Sequence, residues 1–475
     1  MKKNYLWSGL GLVAPLAARV VGRAPLGVAG ISIDTRTLEA GDLFIAIKGE
    51  TSDGHDYVKS AFEKGAAAAV VDEAHVEALR QAGSLFVVND TFASLQGLGI
   101  AARNRTEAGV VAVTGSVGKT GTKEALALVL GQQGKTHAAA ASYNNHLGVP
   151  LTLARMPRDT QFGVFEIGMN HPGEITPLTG MVRPHVAIVT TVAPVHLEYF
   201  DSVDAIADAK GEIFSGLEPG GVAIIHGDIS QTQRLRNHAE NSNAARILTF
   251  GARADADAHL EDVQPFEGGS RVTAQILGEV YRYTVGAPGR HMAMNSLAVL
   301  LAVQALGADM AQAAEALRDF APPKGRGERH QLHLPAGPFT LVDESYNANP
   351  ASMRAALSVL AEMATTGRRI AVLGDMLELG PQGPSLHAEL ASFIEDKGID
   401  LVFAAGPLMK SLFDRLPTST RGVWAQRADD IEKELAMAIG ADDIVMIKGS
   451  NGSRMHMLVS KLKERFAAPT SSVEG

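Results

Sequence analysis

The stretch Val110-Val-Ala-Val-Thr-Gly-Ser-Val-Gly-Lys-Thr-Gly-Thr-Lys-Glu124 limits what this chain can fold into more than any other. Its β-branched run, Val110 to Val113, predicts a buried parallel strand. The run breaks at Gly115 and Gly118, and a helical pattern follows from Glu124 to Leu130. Strand, glycine turn, Lys-Thr and helix form the layout of a phosphate-binding loop. Backbone N–H groups of Gly115, Ser116, Val117, Gly118 and Gly121 can close on phosphate oxygens, and the helix N-terminus adds positive potential. Lys119 supplies a point charge and Thr120 a hydroxyl suited to Mg²⁺. The general pattern has a glycine six residues before the lysine, where this chain has Val113. A plain glycine turn with an exposed lysine is the alternative, and it leaves the flanking strand and helix unexplained.

The rest of the chain supports an α/β architecture. Its 475 residues correspond to roughly three domains. From Ala108 to about Pro322 strands and helices alternate, the signature of a mostly parallel sheet. Arg271 to Val285 alternates like an edge hairpin, and Pro288 to Asn295 leads into an alanine- and leucine-rich helix. Gly325-Arg-Gly-Glu-Arg329, behind Pro322-Pro323, reads as a hinge. A second α/β unit follows, with strands predicted at 339–344, 369–373, 401–404 and 444–448 and helices at 350–362 and 385–394. Residues 467–475 are small and polar, and are expected to be disordered.

Individual residues carry weaker signals. Glu166 closes a buried strand at the edge where open α/β sheets bind ligands, so it is a candidate Mg²⁺ ligand. Asn144 and Asn145 lie in a polar loop and offer donors and acceptors. His196 and Lys210, judged by spacing alone, are a structural histidine and a solvated helix lysine. Asp34-Thr35-Arg36 and Asp53-Gly-His55 read as turns. Polar loops at 343–350, 374–380 and 448–454 lie at the expected ligand edge of the last unit.

Composition removes several classes. The formal net charge of −9 argues against a general binder of nucleic acid or anionic membrane. With no cysteine, disulfides, thiolate zinc sites and cysteine nucleophiles are excluded. No segment approaches about eighteen apolar residues, so no membrane insertion is expected. Leu6 to Ala18 after Met1-Lys-Lys could be a short leader peptide or a small helix capping the first domain.

In this order, the stretches resemble the ATP-dependent Mur ligases of peptidoglycan synthesis. The residues that carry the resemblance are Thr114 to Thr120, Asn144-Asn145 with Gly148-Val-Pro150, Glu166 to Ile175, His196-Leu-Glu198, Ala209 to Phe214, and His291 with Asn295. Gly325-Arg-Gly327, Asp343-Glu-Ser-Tyr-Asn-Ala-Asn-Pro350 and Gly374-Asp-Met-Leu-Glu-Leu-Gly380 complete the set. The last two resemble most the member that joins D-alanyl-D-alanine to a UDP-N-acetylmuramoyl-tripeptide (UDP-MurNAc-tripeptide). The Asp-Asn-Pro-Arg motif of the sister ligase is absent. Departures are Val117 and Gly121, where the family often has Asn and Thr, and Thr35, where it often has Ser.

The resemblance implies three domains: 1–106 for the UDP-sugar, 107–328 as the central P-loop ATPase with a mostly parallel sheet, and a Rossmann-like 329–475. It implies ATP contacts from the loop, Asn295 (adenine), Arg326 (γ-phosphate) and Asp343 (ribose). Thr120, Glu166, His196 and Lys210 would hold Mg²⁺, two ions in all, with Lys210 carbamylated by CO₂. Lys119, Lys210, His196 and Arg326 would be catalytic. Asp34, Thr35, Arg36, Asp53, His55, Asn144, Asn145, Asn347 and Asn349 would meet the substrates UDP-MurNAc-tripeptide and D-Ala-D-Ala. A cytoplasmic monomer is expected. Another Mur ligase step, or a folylpolyglutamate synthase-like ligase, is the alternative.

Overall fold

The computed structural model describes residues 5–467 other than Ala141, His196 and Glu267. The expected disordered tail from about 468, and His196, lie outside the described residues.

The strand Gly109–Thr114 occupies the interior of a nine-stranded sheet. Phe162–Glu166 and Val186–Val189 flank it in parallel register. Thr136–Ala138 closes one edge, while Gly221–His226, Ala244–Gly251 and Ala258–Phe266 extend the other. That side ends in the predicted hairpin, Gly269–Ile276 against Glu279–Val285. Alternation along the central strand explains its burial on both faces. Val111 and Val113 pack with the helices Lys119–Gly131 and Arg290–Ala305, while Val110 and Ala112 pack against Ile175–Val182 and Val203–Gly211. The loop helix starts at Lys119, one turn before the apolar pattern that predicted it. An opening such as Lys-Thr-Gly-Thr carries no apolar face to announce it.

The N-terminal sheet has the order Arg19–Val21, Leu85–Val88, Ala68–Asp72, Leu43–Ile45, Ile31–Ser32. Its helix Thr91–Asn104 packs on Gly148–Ala154 of the central unit, and Leu151 and Ala154 join the first core. The small helix expected to cap the first domain is Val13–Leu16. Trp7–Ser8 pairs with Gly27–Val28, Leu12 and Leu16 are fully buried, and Trp7 Nε1 donates to Ala154 O at 3.0 Å. The Arg105 guanidinium stacks 3.4 Å above the Trp7 ring, and burial lowers its pKa to about 10.

The third sheet runs Glu328–Leu334, Gly337–Glu344, Ile444–Lys448, Arg369–Gly374, Leu401–Ala405, Arg421–Ala425. The four predicted strands are its interior. Both edge strands escape the apolar-run criterion because only Leu332 among their residues is buried. The expected hinge at 325–329 is therefore shorter, since Glu328 and Arg329 pair with Asp343 and Val342. Gly327 N donates to Asp343 O at 2.8 Å and Tyr346 N to Gly325 O at 3.1 Å, which ties Arg326 to this sheet. The predicted helix 385–394 is two helices, Gly383–Ala388 and Leu390–Asp396.

Candidate active site

The phosphate loop is braced by the next strand. Thr190 Oγ1 donates to Val117 O at 2.6 Å, Ser116 N donates to Thr191 O at 2.8 Å, and Ala193 N donates to Ser116 Oγ at 3.0 Å. Gly115 has φ 147°, and a Cβ there would lie 1.9 Å from Thr190 Oγ1. Gly118 has φ 91°, with its would-be Cβ 2.7 Å from Asn295 Nδ2. Both positions therefore require glycine for conformation and for space. Lys119 is the first helical residue and its ammonium donates to Gly115 O at 2.7 Å. Burial pulls its pKa below the ordinary lysine value, with Glu166 opposing and Arg326 reinforcing that shift.

Glu166 ends its strand 1% exposed. Its Oε1 accepts from Asn144 Nδ2 at 2.7 Å, while Oε2 is buried with no hydrogen-bond partner among the described residues. A bare buried carboxylate oxygen costs free energy unless a cation meets it. Thr120 Oγ1, 3.4 Å from Ser142 Oγ at the helix N-terminus, is a second hard oxygen. Hard oxygen donors of this kind suit Mg²⁺. Lys210 sits on the helix Val203–Gly211, buried rather than solvated, and its ammonium has no hydrogen bond or ion pair among the described residues. Burial pushes its pKa far below the usual lysine range, and the charge of Lys119 pushes the same way. Burial therefore favours the neutral amine, which is a nucleophile.

Two adjoining cavities gather most candidates. One, about 110 Å³, is lined by Ser116 to Gly121, His291, Asn295, Arg326, Glu344, Asn347, Asn349 and Lys448. The other, about 330 Å³, is lined by Ser116, Lys119, Ser142, Asn144, Glu166, Asn170, Arg326, Asn347, Asn349, Glu378 and Asn451. Central-sheet and third-sheet residues thus face each other. The Arg326 guanidinium lies 4.2 Å over the Tyr346 ring, which fixes its direction.

Other candidates have local duties. Asn145 Oδ1 accepts from Gly148 N at 2.9 Å and Leu147 N at 3.2 Å, capping the helix Gly148–Ala154. Asn349 caps Pro350–Glu362 in a reciprocal box with Ser352. Asn347 Oδ1 accepts from Ala348 N at 2.9 Å. In the first sheet region, Asp34 and Arg36 form an exposed forked pair, and Thr35 O accepts from Lys64 Nζ at 2.7 Å. His55 Nδ1 lies 2.6 Å from Asp53 Oδ1, and Asp72 N donates to His55 Nε2 at 3.1 Å. None of these five residues lines either cavity.

Asp343 and Glu344 show what one residue of register does. Successive strand residues face opposite sides. Asp343 Oδ1 accepts from Ser345 N at 3.0 Å, and the residue lines a third cavity with Thr120, Ser142, Lys324 and Arg326. Glu344 shares the small cavity with Asn295 and pairs with buried Lys448 at 3.2 Å. Sequence reading missed Glu344, Tyr346 and Glu378 as individual site residues. All three lie inside the quoted motifs, and the alternation from Asp343 was a usable signal for Glu344.

Three family models match in order: the "Mur ligase family, catalytic domain" over residues 27–107, the "Mur ligase middle domain" over 113–303, and the "Mur ligase, glutamate ligase domain" over 325–451. The UDP-N-acetylmuramoyl-tripeptide–D-alanyl-D-alanine ligase of Rickettsia prowazekii is 33% identical over 429 residues, 90% of this chain and 94% of that one. A crystal structure of MurF from Acinetobacter baumannii superposes with a TM-score of 0.84 at 28% identity, covering 96% of this chain and 99% of that one. MurF from Thermotoga maritima, solved in complex with ADP, superposes at 0.76 with 25% identity, covering 92% and 98%. Matched along most of its length by such relatives, the chain belongs to the Mur ligase family.

Proposed function

We propose that this protein joins D-alanyl-D-alanine to UDP-MurNAc-tripeptide with the conversion of ATP to ADP and phosphate. Similarity to relatives so named, along 90% of the chain, carries the choice of substrates. The buried Glu166 Oε2 beside the phosphate loop, with no hydrogen-bond partner among the described residues, is the observation that carries the chemistry.

A carboxylate is a poor acyl donor. The γ-phosphoryl group leaves ADP and bonds to a carboxylate oxygen of the tripeptide, giving an acyl phosphate. The dipeptide amine then attacks the acyl carbon, phosphate leaves with the C–O electron pair, and the amine loses a proton. Lys119 and Arg326 offset the repulsion between carboxylate and γ-phosphate. Thr120 and Glu166, with His196 and a Lys210 carbamate, would hold Mg²⁺, which supplies charge neutralisation. The carbamate forms when the neutral Lys210 amine adds to CO₂ and releases a proton, turning a would-be cation into an oxygen ligand. Asn295 serves adenine. Glu344, which lines the small cavity with Asn295, is assigned the ribose ahead of Asp343; Lys448 pairs with Glu344 and Ser345 engages Asp343 Oδ1.

The three functional units are taken as 1–106, 107–328 and 329–475, with Asp34 to Arg36 and Asp53 to His55 serving the UDP end. No helix among the described residues is long and apolar enough to cross a membrane. A cytoplasmic setting follows from the need for ATP and a nucleotide-linked substrate. Phosphate release from ATP, measured while omitting the tripeptide substrate or D-Ala-D-Ala in turn, tests the reading. Release that ignores the dipeptide overturns it.

A further inference from the structure

Lys123, Lys210 and Lys448 are the most deeply buried lysines among the described residues. Lys210 is given to the metal and Lys448 pairs with Glu344 at 3.2 Å, whereas the reaction leaves Lys123 without a task. Lys123 sits one turn after Lys119 on the phosphate-loop helix, its side chain 0% exposed. Its Nζ meets Glu124 Oε1 at 2.5 Å and donates to Ala139 O at 2.7 Å. A buried ion pair is a weak source of stability, since apolar side chains of like size often serve as well. What the lysine adds over such a side chain is the bond to Ala139.

Ala139 is the first residue past the strand Thr136–Ala138, which closes one edge of the central sheet and pairs at three residues with a single neighbour. The ladder releases the chain at Ala138, just before the segment that enters the site, and Lys123 takes hold of it one residue later. Farther along, Asn144 N donates to Ser142 O at 3.0 Å, Gly168 N donates to Asn144 O at 2.8 Å, and Asn144 Nδ2 donates to Glu166 Oε1 at 2.7 Å. The segment is thus fastened at its start to the phosphate-loop helix and at its end to the Glu166 carboxylate. With Oε1 held by Asn144, Oε2 is the oxygen left to meet a cation. Thr120 stands on the same helix as Lys123, so one rigid element sets both the hydroxyl and the partner of the carboxylate.

We propose that Lys123 is a positioning residue of the metal site: by fixing Ala139 it holds Asn144 where it leaves Glu166 Oε2 to the cation shared with Thr120. This rests on the reading of Thr120 and Glu166 as Mg²⁺ ligands. Mn²⁺, a paramagnetic stand-in for Mg²⁺, reports the site directly when its binding to the full-length protein with ADP is followed by electron paramagnetic resonance. Lys123→Met keeps the stem and loses the donor, and should raise the Kd for Mn²⁺ about tenfold, as loss of a group that orients a metal ligand does. Asn144→Ala should do the same. Because both act along one link, the double variant should bind Mn²⁺ no more weakly than either alone. ADP affinity without metal, measured by calorimetry, should stay at the wild-type value, since the braces of the phosphate loop from Thr190 and Thr191 are untouched. Lys123→Gln, one bond shorter, serves the same test where the Met variant does not fold. An unchanged Kd for Mn²⁺, losses that multiply to about a hundredfold in the double variant, or a parallel loss of ADP affinity overturns the proposal and leaves Lys123 a structural lysine. Wild-type protein that binds ADP but no Mn²⁺ overturns the reading of Thr120 and Glu166 as metal ligands, and this inference with it.

Discussion

The cleft has two walls built on different principles. The phosphate-loop wall consists of strand ends and a helix start, so its functional groups issue directly from regular structure: Lys119 at the first helical position, Glu166 at the last strand position. The third-sheet wall consists of loops, and there the polar residues of the motifs mostly hold the loop together. Asp375, Asn349 and Ser450 accept or donate within the wall, the last two while also lining the cleft beside Tyr346, Leu377 and Glu378. On the first wall a motif residue is a site residue. On the second it is more often the support of one.

Several measurements would break or sharpen that contrast. The largest effect is expected on the first wall: Lys119→Ala should lower kcat by about a thousandfold, as loss of a charge aimed at the transition state does, with an unchanged melting temperature. A loss of only a few fold would return Lys119 to a structural role. Lys210→Ala should lose nearly as much, about a hundredfold or more if its carbamate completes a metal site. Added short-chain carboxylates should restore part of the activity by supplying the missing oxygens. Wild-type activity without them would end the carbamate reading.

Between the walls, Glu344→Gln should raise the KM for ATP about tenfold, the worth of one charge-assisted hydrogen bond, whereas Asp343→Asn should leave it near wild type. The reverse order would restore Asp343 as the nucleoside contact. On the second wall, Asn349→Ala should cost about 1 kcal/mol of stability through its helix cap, read as a lower melting temperature with kcat changed less than for Lys119→Ala.

The smallest effect is a pH dependence. His387 is fully buried, its Nδ1 contacts Gly383 O at 2.6 Å, and its Nε2 accepts from Met376 N. Burial keeps its pKa below the ordinary histidine value. The unfolded chain then binds a proton that the native state refuses, so the stabilisation is complete above about pH 6.5 and is lost as pH falls, by on the order of 1 kcal/mol per unit at most. Thermal unfolding between pH 7.5 and 5.5 should show a steeper fall for wild type than for His387→Gln. Equal slopes would remove His387 from the account.

What was legible in the sequence follows the same division. The central strand, the glycine turn and Glu166 could be read because a buried strand and a backbone-built loop each leave a local pattern. The edge strands Glu328–Leu334 and Arg421–Ala425 were not legible, since partly buried edges carry no apolar run. Lys210 looked like a solvated helix residue from spacing alone, and only the packing around its helix buries it. The hydrogen bonds of Asn145 and Asn349 at helix starts were not legible, because an amide that caps a helix and one that binds a substrate are the same residue type in the same kind of polar loop.

The sequence by itself determined the chemistry available on the central sheet: a loop that must be glycine at residues 115 and 118, a lysine at a helix start, a carboxylate at a strand end. These depend on neighbours a few residues away, and local sequence encodes local geometry. Only the tertiary structure decided which of Asp343 and Glu344 lines the cavity with Asn295, that Lys210 loses its water, and that Glu378 stands across the cleft from Glu166. Facing, burial and opposition are relations between segments far apart in the chain, set by how the sheets pack, and no stretch read alone contains them.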